Sequence, residues 1–144
     1  GMGAFVADAA IKQMILAGKT VKNAKVIILG ITFKENCPDV RNSKVEDIIN
    51  RLKEYGVKPI VTDPQADAEE AKREYGIELV DMDTIKDADC LIFAVAHKEF
   101  KELSWERVDA FYSKGEISEK VLVDVKGIFS RKEVEQKGYS YWRL

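Results

Sequence analysis

The stretch Lys25–Val45, KVIILGITFKENCPDVRNSKV, decides how the chain is read. It opens with a short apolar run, KVIILG (25–30), rich in β-branched residues and closed by Gly30. Such a run fits a buried strand ended by a turn. A dinucleotide-binding unit begins the same way, with G-x-G-x-x-G after the strand so that bare backbone can approach a pyrophosphate. Here Gly30 is followed by Ile31, Thr32 and Phe33, and the later glycines of that fingerprint are missing. Asp63, at the end of the second apolar run, resembles the acid that binds a ribose in such units, but "TDP" reads equally well as a strand-ending turn.

The turn offers a different anion site. Lys34 is a mobile point charge with three donors, and Arg41 a planar fork suited to phosphate. Pro38 holds the chain out of a helix, so the next helix starts only near Ser43, with Ser43 or Asn42 as its cap. The free N–H groups of that helix start favour an anion in the same crevice. Phe33 is placed either to stack on a base or to pack inward. The alternative reading is that Lys34 and Arg41 pair with Glu35 and Asp39 as surface ions.

Outward from this turn, strand and helix patterns alternate. VKPIVTD (57–63), IELV (77–80), CLIFAVA (90–96), KVLVDV (120–125) and YSYWRL (139–144) read as further strands. SKVEDIINRLKEYG (43–56) reads as a helix with Val45, Ile48, Ile49 and Leu52 on one face and Gly56 at its end. ADAEEAKREYG (66–76), WERVDAFYSKG (105–115) and RKEVEQKG (131–138) are the other helices. The pattern predicts a Rossmann-like, doubly wound α/β fold with a mostly parallel sheet of five to six strands. Ligands of such sheets bind beyond the carboxyl ends of the strands. His97 and Lys98 follow the fourth run, and Asp124 and Lys126 the fifth, so cations at three strand ends are expected to converge with Lys34 on one crevice. For His97 alone, a helix cap or packed loop residue is the simpler role. Trp105, Phe111 and Tyr112 are most simply core or interface residues.

The segment AFVADAAIKQMILAG (4–18) does not fit the alternation: it is helical, but apolar on most of its circumference. A helix of that kind is normally buried on more than one side. It is expected to pack on something beyond one sheet face: another domain, a second copy, or both. Gly1 is set aside as a residue consistent with tag removal.

Composition narrows the functional classes. The chain has 144 residues, 46% hydrophobic and 33% charged, which suits one globular domain with a real core. With 23 basic and 25 acidic residues and a net charge of −2, nothing points to nucleic acid or an anionic membrane. No run approaches the roughly 18 apolar residues of a membrane span, and no signal-peptide pattern is present. Two cysteines, Cys37 and Cys90, are too few for a disulfide framework, and with the single histidine, His97, they make no metal set. A cytoplasmic, reducing setting is the expectation. Cys37 beside Lys34 and Arg41 is placed either as a reactive thiolate or as a small loop residue.

The stretch LGITFKENCPDVRNSKV (29–45) resembles the C-terminal domain of the UDP-glucose/GDP-mannose dehydrogenase family, and the likeness runs through the chain. GMGAFVADAAIKQMI is similar to the end of the family's central helix, and VLVDVKGIF to its last substrate-binding strand end. The wording FKENCPDVRNSKV resembles the bacterial branch acting on UDP-N-acetylhexosamines for surface polysaccharide. The resemblance implies an enzyme that oxidises the C6 alcohol of a UDP-sugar to a carboxylate in two hydride transfers to NAD, and that works as a homodimer. It implies that residues 1–18 end the central linking helix and that 19–144 form the UDP-sugar-binding domain. Phe33 and Lys34 then match the pair contacting the UDP-sugar, and Arg41 an arginine reaching the NAD held by another domain. Lys126 matches a basic residue near the substrate that is often arginine; lysine there keeps the charge and loses the fork. Neither the glycine fingerprint nor the family's catalytic-cysteine motif is present, so no catalytic residue is assigned, Cys37 and Cys90 included, and the chain alone is expected to be inactive. The alternative is a stand-alone Rossmann-like module binding a nucleotide or a partner.

Overall fold

The computed structural model describes residues 1–144. The elements are α1 (Met2–Leu16), β1 (Val26–Leu29), α2 (Val45–Glu54), β2 (Ile60–Thr62), α3 (Ala68–Tyr75), β3 (Cys90–Phe93), α4 (Lys98–Lys101), α5 (Trp105–Ala110), β4 (Val121–Asp124), α6 (Arg131–Lys137) and β5 (Ser140–Arg143). The five strands form one sheet in the order β2-β1-β3-β4-β5, and every pair is parallel. Register sets Val26 against Cys90 and Cys90 against Val121, so the strands finish almost level at their carboxyl ends.

Both faces of the sheet are covered, as uniformly apolar strands require. Alternate residues point to opposite sides. Val26, Ile28, Ile92 and Val123 join a core with α1, α2 and α3. Ile27, Leu29, Leu91, Phe93 and Leu122 join a second core with α4, α5 and α6. On α2 the buried face is Val45, Ile48, Ile49 and Leu52, the set expected from the pattern. Helix starts use the expected chemistry: Asp67, Ser104 and Ser130 each accept a backbone N–H from the first turn of α3, α5 and α6. At α2 the cap position is Lys44, and Ser43 Oγ accepts the Val45 N–H from one residue further out.

IELV (77–80) does not form a strand. Gly76 ends α3 in a left-handed conformation, and Asp81 caps a single 3₁₀ turn at Met82–Thr84. The four residues between keep one sheet-like bond, Val80 N–H to Val61 O at 3.0 Å. Helix α4, four residues long, was not expected.

Helix α1 is half absorbed. Val6, Ala7, Ala10, Ile11 and Met14 enter the first core, while Met2, Phe5, Ile15 and Leu16 remain exposed. Phe5 lies edge-on to Trp142 of β5. Helix α1 approaches α2 tightly at Gly3, where an added Cβ would meet Asp47 Cβ at 2.5 Å, Ile48 N at 3.1 Å and Lys44 O at 3.2 Å. Gly3→Val is therefore expected to push the two helices apart and to lower stability by about 1–3 kcal/mol. Urea unfolding of the variant checks this, with Gly1→Val, which meets nothing within 4 Å, as the control. No helix is long and apolar enough to cross a membrane.

Candidate nucleotide site

With the order 2-1-3-4-5, the chain leaves β1 toward one side of the sheet and enters β3 on the other. The crevice at the carboxyl ends of β1 and β3 is the topological switch point, where ligands of such sheets bind. A cavity of about 160 Å³ lies there. The loop after β1 supplies Thr32, Phe33, Lys34 and Glu35, the start of α2 supplies Lys44 and Val45, and Lys126 comes from the loop after β4. Ala94–Ala96, following β3, form the remaining wall.

Three lysines thus converge on one opening: Lys34, Lys44 and Lys126. All are exposed, and none is within ion-pair distance of a carboxylate. Glu35, the one acid of the lining, faces Lys101 at 3.6 Å. Phe33 is 55% exposed, so it stands on the surface beside the lysines rather than packing inward. Clustered unpaired cations beside an exposed aromatic ring suit a ligand with a polyanionic part and a planar part.

The loop shape follows from its neighbours. Gly30 has φ +105°, and its N–H donates to Thr62 O at 2.9 Å. Ile31 and Thr32 turn inward and Phe33 and Lys34 outward. The Phe33 N–H closes the loop onto Asp39 O at 2.8 Å. Tyr75 of α3 donates to Val40 O and accepts the Ser43 N–H. On the other side, the Asp124 carboxylate accepts Ile128 N–H and Phe129 N–H at 3.0 Å each, and the Tyr141 hydroxyl at 2.9 Å. That holds the turn carrying Lys126. Burial and the bond to Asp124 push the Tyr141 hydroxyl up to about 12.

Phe33, Lys34 and Lys126 are therefore brought together, and Arg41 is not. Arg41 forms a forked pair with Asp39, Nε–Oδ1 and Nη2–Oδ2 both 3.1 Å, in a separate hollow with Pro38, Asp67 and Glu70. That pair holds the Asp39 carboxyl below its ordinary value. The surface-ion alternative thus describes Arg41 and fails for Lys34. Lys44, the N-cap residue of α2, joins the cavity group although no local motif in the sequence sets it apart from the neighbouring charges.

At the strand ends, the cations expected from the fourth run are corrected, while His97 as a packed residue at a helix start and Asp63 as part of a strand-ending turn are the readings that hold. His97 does not join the crevice: its ring is fully buried at the start of α4, and Lys98 lies outside the cavity lining. Asp124 is buried and spent on its own loop. Asp63 is not free for a ribose. Its side chain is 0% exposed, with Oδ2 accepting from Ile31 N–H at 2.7 Å and Thr32 N–H at 3.3 Å, and Oδ1 from Gln65 N–H at 2.8 Å and Ala66 N–H at 3.0 Å. Burial raises the Asp63 pKa, but the bonds from His97 and Ile31 outweigh it, leaving the carboxyl below 3.8. Cys90 is buried in β3, and burial pushes its thiol up. No three His, Cys, Asp or Glu side chains are grouped to hold a metal ion.

Two features expected of a dinucleotide site are absent from this turn: the later glycines of the fingerprint and a free ribose acid. Val95 packs against Gly30, so that a Cβ there would be 2.7 Å from the Val95 Cβ. The ribose acid is occupied, as described.

The UDP binding domain model of the UDP-glucose/GDP-mannose dehydrogenase family matches residues 27–131. Protein CapL of Staphylococcus aureus is 39% identical over 143 residues, covering 99% of this chain and 32% of CapL. UDP-N-acetyl-D-glucosamine 6-dehydrogenase of Pseudomonas aeruginosa is 44% identical over 126 residues, 88% of this chain and 29% of that protein. The chain thus spans less than a third of these curated relatives. Among solved structures, the UDP-N-acetyl-mannosamine dehydrogenase Cap5O of Staphylococcus aureus has a TM-score of 0.66 at 26% identity, over 99% of this chain and 30% of that one. The NDP-N-acetyl-D-galactosaminuronic acid dehydrogenase of Methanosarcina mazei Go1 has a TM-score of 0.84 at 20% identity, over 99% and 29%, a likeness of fold. With a parallel α/β sheet, a lysine-lined switch-point cavity and this match, the chain belongs to the UDP-glucose/GDP-mannose dehydrogenase family and corresponds to its UDP binding domain.

Proposed function

We propose that the chain holds the UDP part of a UDP-sugar for an NAD-dependent 6-dehydrogenase, of the UDP-N-acetylglucosamine or UDP-N-acetylmannosamine type. The observation that carries this is the convergence of Lys34, Lys44 and Lys126, unpaired, on a cavity beside exposed Phe33. The lysines meet the diphosphate, and Phe33 lies against the uracil or the sugar. Two relatives of this chain are UDP-N-acetyl-D-glucosamine 6-dehydrogenases, at 44% identity.

The oxidation itself, C6 alcohol to carboxylate with two NAD⁺ as hydride acceptors and water supplying the second oxygen, belongs to other parts of a longer cytoplasmic protein. No step of it is assigned to a residue of this chain, which alone is expected to be inactive. Arg41 is proposed to reach toward the cofactor held there: its side chain is 67% exposed, and Asp39 is a partner it can leave. Helix α1 is proposed as the end of the linking helix, with its exposed apolar side part of the homodimer. The stand-alone alternative loses its chief support, because Asp63 is engaged by the chain's own backbone.

Titration of the 144-residue chain with UDP, followed by amide NMR, tests the site. Shifts are expected at Phe33, Lys34, Lys44 and Lys126, with affinity falling as salt rises. Lys34→Ala and Lys126→Ala are each expected to weaken binding roughly three- to tenfold. Absence of shifts there at millimolar UDP would remove the assignment. Tight NAD binding by this chain would favour the alternative.

A further inference from the structure

The segment Thr32–Asn36 carries the two side chains proposed to meet the nucleotide, and a single buried imidazole holds both of its ends. The Asn36 backbone N–H donates to His97 Nδ1 at 2.9 Å. Nδ1 is therefore the unprotonated nitrogen, and the ring hydrogen sits on Nε2. Nε2 lies 3.0 Å from Asp63 Oδ2 and 3.2 Å from Thr32 Oγ1. Thr32 Oγ1 gives its own hydrogen to Lys34 O at 2.9 Å, so toward the ring it is an acceptor. One nitrogen thus grips the end of the segment at Asn36 and the other the end at Thr32. Between them Phe33, Lys34 and Glu35 stand exposed.

Two further contacts tighten the arrangement. Asn36 has φ +55°, and its Oδ1 accepts the Lys98 N–H at 2.9 Å, so the segment also meets the start of α4. Asp63 Oδ2 accepts the N–H groups of Ile31 and Thr32 in addition to the imidazole. A ring buried against Phe100 has no stabilising reason to be polar unless both nitrogens are used. Both are.

We infer that His97, backed by Asp63, is the positioning residue of the nucleotide loop. It does not line the cavity. It fixes the span from Thr32 to Asn36, and with it the place of Phe33 and Lys34. The role in binding rests on the UDP reading above; the clamp itself rests on geometry alone.

The test uses the whole 144-residue chain with His97→Phe, His97→Gln and Lys34→Ala, read by amide hydrogen exchange and by UDP titration. His97→Phe is expected to keep strand-amide protection, to speed exchange at Asn36 by about tenfold or more, and to weaken UDP by about tenfold. His97→Gln, whose amide offers one acceptor and one donor, is expected to recover part of both. Lys34→Ala is expected to weaken UDP while leaving Asn36 exchange unchanged, which separates gripping from positioning. A folded His97→Phe with wild-type exchange at Asn36 overturns the inference, as does wild-type UDP affinity in that variant. If the wild type binds no UDP, the nucleotide reading fails by itself, and Asn36 exchange still decides the clamp. Should His97→Phe not fold, side-chain ¹⁵N spectra of the wild type decide: the Nε2–H tautomer supports the clamp, and Nδ1–H refutes it.

Discussion

Gly30→Ala is expected to lower the stability of the chain by about 2–6 kcal/mol. Two costs combine. The φ of +105° lies where L side chains carry strain. The new methyl also meets Val95 at three atoms: Cβ at 2.7 Å, Cγ2 at 2.8 Å and the backbone N at 3.0 Å. Trimming Val95 to alanine is not expected to rescue it, because Cβ and the backbone N remain. Urea unfolding of Gly30→Ala, Val95→Ala and the double variant checks this. Recovery by the double variant would show that only Cγ2 was in the way. Gly76→Ala is the control, since at φ +67° nothing lies within 4 Å and only the conformational cost remains. The larger loss at Gly30 reflects how tightly β1 and β3 must close to shape the crevice.

The second large effect is at Asp63. Asp63→Asn is expected to cost about 3–5 kcal/mol near neutral pH. The carboxylate serves four backbone N–H groups and the His97 ring, and an amide presents hydrogens where some of those donors point. The effect carries a pH signature. The folded carboxyl lies below 3.8, so its ionised form is favoured by folding. That stabilisation is complete above the unfolded value of about 3.9 and fades as pH falls through the lower folded one. The gap between wild type and Asp63→Asn should therefore be constant at neutral pH and narrow below about pH 4. Denaturation midpoints of both proteins across pH 2.5–7, or about that range, check the sign. A gap that widened in acid would show that Asp63 is not held ionised by its partners.

The elements legible in the sequence were those set by local pattern. KVIILG, CLIFAVA and KVLVDV form β1, β3 and β4 because uniformly apolar runs have only the middle of a two-sided sheet to occupy. The period of Val45, Ile48, Ile49 and Leu52 marked the buried face of α2. What escaped depends on residues far apart in the chain. The His97–Asp63 bond spans 34 positions and the Asn36–His97 bond 61, and no window of sequence contains either pair. Arg41 pairs with Asp39 two positions away, a partner the sequence did offer, though only geometry shows that Lys34 lacks the like. IELV has strand composition, but between the Gly76 and Asp81 turns it meets the sheet only through the Val80 N–H bond to Val61 O. Lys44 is one of several charges around a helix start, and only the fold shows that it faces Lys34 and Lys126 across one opening.

The tight seat of Gly3 on α2 has a mechanical consequence. The atoms that a Cβ at Gly3 would meet include the carbonyl of Lys44, the residue whose side chain lines the cavity. Packed interiors pass displacement on rather than absorb it. A load on the first turn of α1 is then expected to be borne by the turn that opens α2, where Lys44 stands. Helix α1 and the cavity thus share the turn that opens α2, and a displacement of α1 is expected to be read in the position of Lys44.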